Sequence, residues 1–556
     1  MAKTDTSVDA LLGPAPEPTV TELLGPAPTE SAMVGGAFDA AARNERTLAT
    51  WNPGLNSADV DLIPAKADLD ARSRDSLRND AYVQGGANIY QDNIVGAMYA
   101  LNAKPLGKIL GKNFDDKWEE EFQEEVEARF TLYAESPDCW MDASRHNTFT
   151  DMVRLAVGVH TATGEMLSSV EWMRKSFGRP FQTAIQFIDT DRLSNPPQMM
   201  NNPNLIAGVE KDRFGAAIRY HVKVTHPSDY HLPNNFSWKA VNARKAWGRM
   251  QMIHIFEQHR VDQSRGVAAM VTALKEMKIT KQFRDVTLQN AVVNATYAAS
   301  IESDLPSAEA FATLGGSDGI PEAMESYVGS YLDQIATYSG GAKNLKLDGV
   351  KIPHLFPGTK LNLHQAGKGG PLGQEFEQSL LRYIAAALGV SYEQLSKDYS
   401  QTNYSSAKAA MAETWKRMNV VKRQVADRFA TMCYRLWLEE AVNMGAITAM
   451  PLEARQAGWL YQNQRLDALS TCEWIGASKG QIDELKETQA AVLRLKYNLS
   501  TDEDEIARLG KDWRVVKKQR AREKRMDDDL DIVVVADNVT PGAVDTAAQT
   551  ESGEKE

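Results

Sequence analysis

The stretch LRYIAAALGVSYEQLSKDYSQTNYSSAKAAMAETW, Leu381–Trp415, joins two helical patterns through a polar segment. The first pattern, Glu375–Leu388, is short, whereas the second runs from Ser406 to about Asn443. Apolar side chains recur in the second at steps of three, four or seven residues, at Met411, Trp415, Met418, Val425, Phe429, Met432 and Leu436. At 1.5 Å per residue this helix would span roughly 57 Å. That length favours a bundle or a subunit interface over the core of a compact enzyme.

Upstream of this stretch, the sequence changes from helical to strand-like texture. Arg72–Leu101 and Asp115–Ala134 have the apolar spacing of helices. From Thr163 to Phe256, short apolar runs such as TAIQFI and AAIRYHVKV are separated by the turn-forming sequences SNPP, HPSD and LPNN. This pattern predicts β-strands joined by turns. The chain is therefore predicted to have a mixed α+β fold in which helix predominates.

Between the strands and the opening stretch, a helical pattern runs from Gly266 to about Ala298. The region from about Ser303 to Leu363 then combines one helical segment, Pro321–Tyr338, with the strand-like sequences NLKLDGVKI and TKLNLH. Because this region is inserted between two helices, it is expected to form a small projecting domain.

Both ends of the chain have the composition of disordered arms. Residues 1 to about 45 are rich in Ala, Pro, Thr and Gly, and LLGPAP occurs twice, at Leu11–Pro16 and Leu23–Pro28. The stretch from about Asp527 to Glu556 is again polar. The repeat allows a second interpretation of the first arm, as a flexible segment that docks on a partner or is cut during processing.

Composition narrows the functional class. The chain has 74 acidic and 62 basic residues, a formal net charge of -12, whereas a protein that holds DNA tightly usually has a basic face. An acidic conduit past which DNA slides is compatible with this charge, because phosphate contacts are what would hold the DNA. The sequence predicts an intracellular protein without membrane contact. Its three cysteines are widely spaced, its start (MAKTDTSVDA) lacks the apolar stretch of a signal peptide, and it has no apolar run of membrane-spanning length.

No catalytic motif stands out. GxxxxGK[ST], GxGxxG after a strand, HExxH and GxSxG are absent from the sequence. His221, His226 and His231 recur every five residues, a step that gathers side chains on neither a helix face nor a strand face, so surface histidines are favoured over a metal site. Gly164-Glu165 places a carboxylate at a turn, without a partner acid at a recognisable spacing. The sequence therefore predicts no catalytic residue, no metal site and no cofactor.

A series of motifs resembles, in unbroken order from about Asn52 to Glu523, the portal proteins of lambda-like tailed phages. Besides Leu381–Trp415, the series includes RNDAYVQGGANIYQDNIVG (Arg78–Gly96), DTDRLSNP (Asp189–Pro196), IHIFEQHRVDQSRGV (Ile253–Val267) and CEWIGASKGQIDELKETQAAV (Cys472–Val492). The resemblance implies a ring, usually of twelve subunits, at one capsid vertex, with a central channel through which a separate ATPase drives DNA. The absence of a P-loop agrees with this division of labour. The chain departs from the family pattern by carrying two LLGP elements where the family arm holds one.

The resemblance also implies a division of the chain into parts. These are a disordered arm (1–45), a wing (46–265), a first stem helix (266–296), a clip (297–365), a second stem helix (366–389), a tunnel loop (390–405), a long wing helix (406–450), a helical crown (451–523) and a disordered tail (524–556). The clip would face the terminase during packaging and the head-completion proteins afterwards.

Side chains that meet DNA are expected in the tunnel loop and at the start of the following helix. Lys397 and Lys408 are the only cations from Val390 to Met411, and Glu393 and Asp398 offset them. Such a segment can touch DNA through hydroxyls and amides without gripping it. The residues expected to face the channel are Tyr392, Gln394, Lys397, Tyr399, Gln401, Asn403, Tyr404 and Lys408.

The implied partners are further copies of the chain, the large terminase subunit, the major capsid protein and scaffold, head-completion and tail adaptor proteins, and double-stranded DNA passing non-specifically. The implied location is the capsid portal vertex, after assembly in the host cytoplasm. Two alternatives stay open at this stage. A DNA-processing enzyme would need a carboxylate or Ser/Lys cluster that the sequence does not display, and a different head-tail adaptor ring would usually be shorter.

Overall fold

The structure is a computed structural model, and it describes residues 49–175, 178–297, 344–347, 350–353, 371–456, 458–480 and 483–530. Several predictions fall outside the described residues: the arm 1–45 with both LLGPAP elements, the helix Pro321–Tyr338, the strand-like TKLNLH and the tail beyond residue 530. Of the clip region 297–365, the structure describes Tyr297 and two short strands.

Helices predominate over strands in the described residues, as the sequence predicts. The helices are α1 (Ala58–Asn79), α2 (Ala81–Ile94), α3 (Gly107–Leu110), α4 (Asp116–Ala134), α5 (Phe149–Thr163), α6 (Leu274–Tyr297), α7 (Pro371–Leu388), α8 (Tyr392–Ser396), α9 (Tyr404–Val421), α10 (Arg428–Asn443), α11 (Arg465–Leu469), α12 (Glu484–Lys496), α13 (Asp502–Arg508) and α14 (Trp513–Asp529). The strands are β1 (Ala100–Ala103), β2 (Glu165–Trp172), β3 (Thr183–Ile188), β4 (Leu205–Ile206), β5 (Val209–Lys211), β6 (Ala217–Lys223), β7 (Trp238–Asn242), β8 (Met252–Phe256), β9 (Asn344–Leu347), β10 (Val350–Pro353) and β11 (Cys472–Ile475).

The strands pair in four antiparallel groups. A three-stranded sheet has the order β3-β2-β8, and a four-stranded sheet has the order β4-β5-β6-β7. Strands β9 and β10 pair with each other, and β1 pairs with β11. The predicted strand TAIQFI coincides with β3, and NLKLDGVKI contains β9 and β10.

The region Arg72–Leu101, predicted as helical, contains two helices and a strand. Asp80 has an extended backbone, and its carboxylate accepts hydrogen bonds from the backbone N–H groups of Tyr82 and Val83. One residue therefore ends α1 and caps α2. Leu101 lies in β1, opposite Trp474 of β11.

Aromatic side chains form the centre of the main core. The Phe130 ring on α4 lies 5.2–6.0 Å from the rings of Phe149, Tyr434, Trp437 and Trp474. Since Trp474 comes from β11, the chain around residues 459–475 belongs to this core. The prediction of a helical crown over 451–523 is therefore wrong for β11, because its pairing with β1 satisfies its backbone polar groups and buries Trp474 and Ile475.

The long helix of the opening stretch begins at Tyr404, capped by Asn403, and stays helical to Asn443 through a π-helical stretch at Lys422–Asp427. The Lys422 ammonium donates to the Asp427 carboxylate at 2.8 Å and to the Trp474 carbonyl at 2.9 Å. The apolar spacing continues through this stretch, so the sequence pattern does not reveal the change of helix type.

Two further predicted borders shift. The helix predicted from Gly266 begins at Leu274, after a 3-10 segment at Ala269–Ala273. The predicted tail from residue 524 starts inside α14, which extends to Asp529.

Candidate functional site

The base of the predicted tunnel loop is fixed against α2. The Tyr90 hydroxyl donates to the carbonyl of Leu388, the last residue of α7. Val390 and Leu395 are buried, with 6 % and 3 % of their surfaces exposed. A Cβ on Gly86 of α2 would lie 2.8 Å from a Leu388 methyl group, so the Leu388 side chain would have to shift to admit any other residue.

The predicted loop 390–405 contains a short helix, α8, that no sequence pattern indicated. Ser391 and Gln394 form a reciprocal cap, in which each side chain accepts a hydrogen bond from the other residue's backbone N–H at 3.3 Å. The Arg382 guanidinium lies over the Tyr392 ring, 5.2 Å from its centre. Tyr392 and Gln394, both predicted to face DNA, are therefore engaged in contacts with the loop's own neighbourhood.

The tip of the loop is a series of tight turns. Lys397 has a left-handed backbone with φ of 58°, a conformation that residues other than glycine rarely adopt. The hydroxyl and backbone N–H of Ser400 bond to Asp398 and hold the pKa of its carboxyl below the ordinary value. The Thr402 N–H then donates to the Tyr399 carbonyl at 3.1 Å.

Four of the predicted channel residues are exposed at this tip: Lys397, Tyr399, Gln401 and Asn403. Lys408 lies on α9 with its ammonium 3.7 Å from the Glu487 carboxylate of α12. Its charge is therefore partly balanced within the chain. The side chain of Tyr404 lies outside the described residues.

A buried ion network lies where the predicted wing meets the predicted stem. Glu165, at the start of β2, is fully buried. Its carboxylate accepts hydrogen bonds from the Arg265 guanidinium at 2.6 and 3.0 Å, from the Gly266 N–H at 2.9 Å, and it lies 3.1 Å from His254 Nε2. The Lys66 ammonium of α1 lies 3.3 Å from Glu165 and 2.8 Å from a second carboxylate, Asp70.

Two carboxylates are thus balanced by an arginine and a lysine. Burial by itself would raise the pKa of Glu165, but Arg265, His254 and Lys66 hold it well below the ordinary value. At Asp70, burial raises the pKa by more than the nearby Lys66 ammonium lowers it, so the pKa of Asp70 is raised. The network fixes the point where the chain leaves the sheets for α6.

The local sequence indicates the carboxylate of Gly164-Glu165 but not its partners. Glu165 and Arg265 are 100 residues apart, and no periodicity links them. The sequence contains one signal of this pairing, since Glu165 follows Gly164 and Arg265 precedes Gly266. A Cβ on Gly266 would lie 2.1 Å from the Gly164 carbonyl oxygen, so the two backbones approach too closely for any other residue.

The three regularly spaced histidines do not converge. His221 is buried, with Nε2 3.2 Å from the Glu210 carboxylate, so its interpretation as a surface histidine is wrong. His231 is exposed. His226 lies close to Asp189 and Asp191 in a geometry that could hold a cation.

That cluster already contains a positive charge. The Arg74 guanidinium donates to the carboxylates of both Asp189 and Asp191, so a metal ion would have to displace it. The cluster is better described as an ion pair that joins α1 to the chain after β3.

A further carboxylate, Glu127 of α4, is mostly shielded from solvent, with 14 % of its side chain exposed. It accepts a hydrogen bond from the Ala103 N–H at 2.9 Å and lies 3.3 Å from the Arg514 guanidinium. Burial nevertheless raises the pKa of Glu127 to about 7, and Asp512 and Glu503 add to the increase.

The Glu127→Gln variant is therefore expected to be more stable than the parent chain above neutral pH. Since the pKa in the folded chain exceeds the ordinary value of 4.5, stability falls as the pH rises from about 4.5 to about 7 and the unfolded chain alone releases its proton. Removing the titration should gain about 3 kcal/mol near pH 8 and almost nothing near pH 4.5. Urea unfolding at both pH values measures this, with Glu120→Gln, an exposed position on the same helix, as the control. Equal behaviour of the two variants would contradict the prediction.

Within the part of the chain that the structure describes, none of the helices is both long and apolar enough to cross a membrane. The described residues thus form a helical protein with four small antiparallel sheets, an exposed polar loop between two helices, and buried charges that are structural.

Comparison with known proteins identifies the class to which this architecture belongs. The sequence profile described as "Phage portal protein, lambda family" matches residues 44–422. The chain therefore belongs to the lambda family of phage portal proteins. This family is a structural, non-enzymatic component of the capsid that forms the portal vertex, and the roles in DNA packaging and ejection follow from membership. The alternatives of a DNA-processing enzyme and of a different adaptor ring are thereby excluded.

The relatives are portal proteins of individual phages. The portal protein of Escherichia phage N15 is 37 % identical over 489 residues, which cover 88 % of each chain. Portal protein B of Escherichia phage lambda is 36 % identical over 476 residues, 86 % of this chain and 87 % of the relative. Both are similar to this chain over most of their length.

Among solved structures, a chain from the neck of an empty gene transfer agent particle is 13 % identical and has a TM-score of 0.34, covering 80 % of this chain and 93 % of that one. A chain from the virion of a native gene transfer agent particle is 12 % identical, with a TM-score of 0.32 and coverage of 80 % and 93 %. Such low scores carry no argument about the assembly of this chain.

Proposed function

We propose that the chain forms a closed ring, usually of twelve copies, with DNA passing along its axis. In this proposal the wing comprises residues 46–265, the stem comprises 266–296 and 366–389, and the clip comprises 297–365. Residues 390–405 form the tunnel loop, and 406–450 the long wing helix. The crown is narrowed to 484–529, because residues 459–475 pack into the core with the wing.

Each part has a proposed partner. The clip contacts the large terminase subunit during packaging and the head-completion and tail adaptor proteins afterwards. The wing contacts the major capsid protein and scaffold. The chain assembles in the host cytoplasm and ends in the virion. The arm 1–45 is dispensable for ring closure and acts in incorporation or maturation.

The observation that carries the ring proposal is the apolar surface of the two proposed stem helices. Exposed apolar side chains project from α6 and α7, at Ile279, Val286, Leu288, Val292, Phe376 and Tyr383. Val286 and Leu288 are 63 % and 66 % exposed. On α6, Ile279 and Val286 share one face, and Leu288 and Val292 share a nearly opposite face. Exposed apolar surface on two sides of a helix is what a subunit that contacts two neighbours needs, and a heterologous contact repeated about one axis closes into a ring.

Placing carboxylates in this surface is expected to prevent assembly. The double variant Val286→Glu/Leu288→Glu should lower the fraction of chain in rings at least tenfold, because a buried unpaired charge costs several kcal/mol per interface. Mass determination in solution measures this. The control Ala240→Glu/Asn242→Glu adds the same charge at exposed positions of β7, away from these helices, and should assemble. If both variants form rings as the parent does, these helices do not form the subunit interface.

Within the ring, we propose that the tip Lys397–Asn403 lines the channel. Two observations support this assignment. The tip side chains are exposed, whereas Val390 and Leu395 at the base of the loop are buried and hold the loop in place. Tyr392, Gln394 and Lys408 are less suited to contact DNA, because each is engaged within the chain.

A further inference from the structure

The last described helix, α14, is strongly basic in an acidic chain. Its sequence, WRVVKKQRAREKRMDDD, contains seven cations before Met526 and a single acid, Glu523, among them. None of its residues is buried. The helix is therefore held by few contacts and presents most of its charge to solvent.

Its first half is attached to the rest of the chain through ion pairs. Arg514 lies 3.3 Å from Glu127 of α4, and Lys518 pairs with Glu124 of the same helix. Lys517 lies 2.6 Å from Asp502 of α13. The cations of this half are thus largely balanced within the chain.

The second half differs. Arg520, Arg522, Lys524 and Arg525 are exposed, and none has an ion pair among the described residues. The intervening Glu523 accepts a hydrogen bond from Gln519 at 2.9 Å. Residues 520–525 therefore carry a local net charge of +3, four cations less one acid, in a chain whose formal net charge is -12.

We propose that Arg520, Arg522, Lys524 and Arg525, the basic tip, bind the phosphate backbone of double-stranded DNA without sequence preference. Three of the four are arginines, whose planar guanidinium groups bond phosphate oxygens in pairs. Duplex DNA offers one charge per roughly 1.7 Å of axis, so neighbouring cations on one helix each find a phosphate.

An acidic protein fits this surface less well. A stable protein interface is anchored by buried apolar or aromatic side chains, and residues 520–525 offer only Ala521 apart from charged groups. The net negative charge of the chain does not prevent local binding, because charges beyond a Debye length of about 8–10 Å are screened. Asp527–Asp529 follow the basic tip within that length, so they weaken its attraction for phosphate and limit the contact to residues 520–525. The inference goes beyond the proposed channel, and neither the ring nor the tunnel loop is needed for it.

The test is binding of the full-length chain to a short fluorescent DNA duplex, measured by anisotropy across a salt series. The quadruple variant Arg520→Gln/Arg522→Gln/Lys524→Gln/Arg525→Gln should bind at least tenfold more weakly at low salt. Each lost phosphate contact should reduce the slope of log affinity against log salt by about 0.9, so the slope should change by about 3 to 4 per chain.

The matched control is Lys108→Gln/Lys112→Gln/Lys239→Gln/Lys245→Gln, which removes four exposed cations elsewhere and should bind DNA as the parent does. Circular dichroism verifies folding, and mass determination reports assembly separately. Absence of DNA binding by the parent chain, or equal losses in both variants, would overturn the proposal. Displacement of DNA by polyglutamate at equal charge concentration would overturn it too, and would indicate an acidic protein as the partner.

Discussion

The Glu165→Gln variant is expected to lose about 3 to 5 kcal/mol of folding stability, because it leaves buried cations with one carboxylate too few. Glutamine keeps the size of the side chain, so the loss reports charge and not a cavity. Arg265, less than a tenth exposed, would lose its directly bonded carboxylate, and Lys66 would keep only Asp70. The midpoint of the first urea-unfolding transition, followed by tryptophan fluorescence, measures the loss.

The pH dependence of this loss has a definite sign. Because the pKa of Glu165 is depressed in the folded chain, its contribution is present above the ordinary value of 4.5 and disappears as the pH falls through the depressed value. The difference between parent and variant should therefore shrink in acid.

Two further variants separate charge balance from a general effect of substitution. Glu171→Gln lies on the same strand at a partly exposed position, hydrogen-bonded to Ser169, and should cost little. The double variant Glu165→Gln/Arg265→Gln should recover part of the loss, because it restores the balance. Losses of the same size for Glu165→Gln and Glu171→Gln would contradict the account.

This network shows where prediction from the sequence ends. The turn at Gly164-Glu165 is a local pattern and was recognised. The partners come from α1, β8 and the loop that precedes the 3-10 segment, and no local pattern records that the fold brings them together. The same reason explains β11. Its short apolar run reads as part of a helical region until its pairing with β1 is known.

Where local signals dominate, prediction was accurate. Helix α4 lies within one residue of its predicted start, because Asp115 caps it and its apolar side chains recur with helical spacing. The long helix was found for the same reason. The tunnel-loop residues were a prediction from resemblance, and the structure separates them into an exposed tip and side chains used to build the base.

Adding lysines at the loop tip is expected to slow or stall DNA translocation by at least tenfold while rings still form. The variant is Gln401→Lys/Thr402→Lys. Each added cation makes a phosphate contact that must break as the DNA advances, and a ring repeats the contact in every subunit. The measurement is packaging by procapsids assembled with the variant, with imaging of the rings.

The control Ala240→Lys/Asn242→Lys adds the same charge to exposed positions of β7 in the wing and should package normally. Conversely, Lys397→Gln should weaken the retention of packaged DNA, because it removes the exposed cation of the tip. Lys408 is unsuitable for this test, because its substitution would remove a cation and also break its ion pair with Glu487. Unchanged packaging by the loop variant, with intact rings, would show that residues 397–403 do not face the DNA.

The central claim is that this member of the portal family assembles into a closed ring around a channel. Electron microscopy of the purified full-length chain, with mass determination on the same sample, tests it most directly. The account predicts closed rings of one size with an axial opening, usually of twelve copies. A chain that stays monomeric from micromolar to tens of micromolar concentration, or that forms only open aggregates, would contradict it.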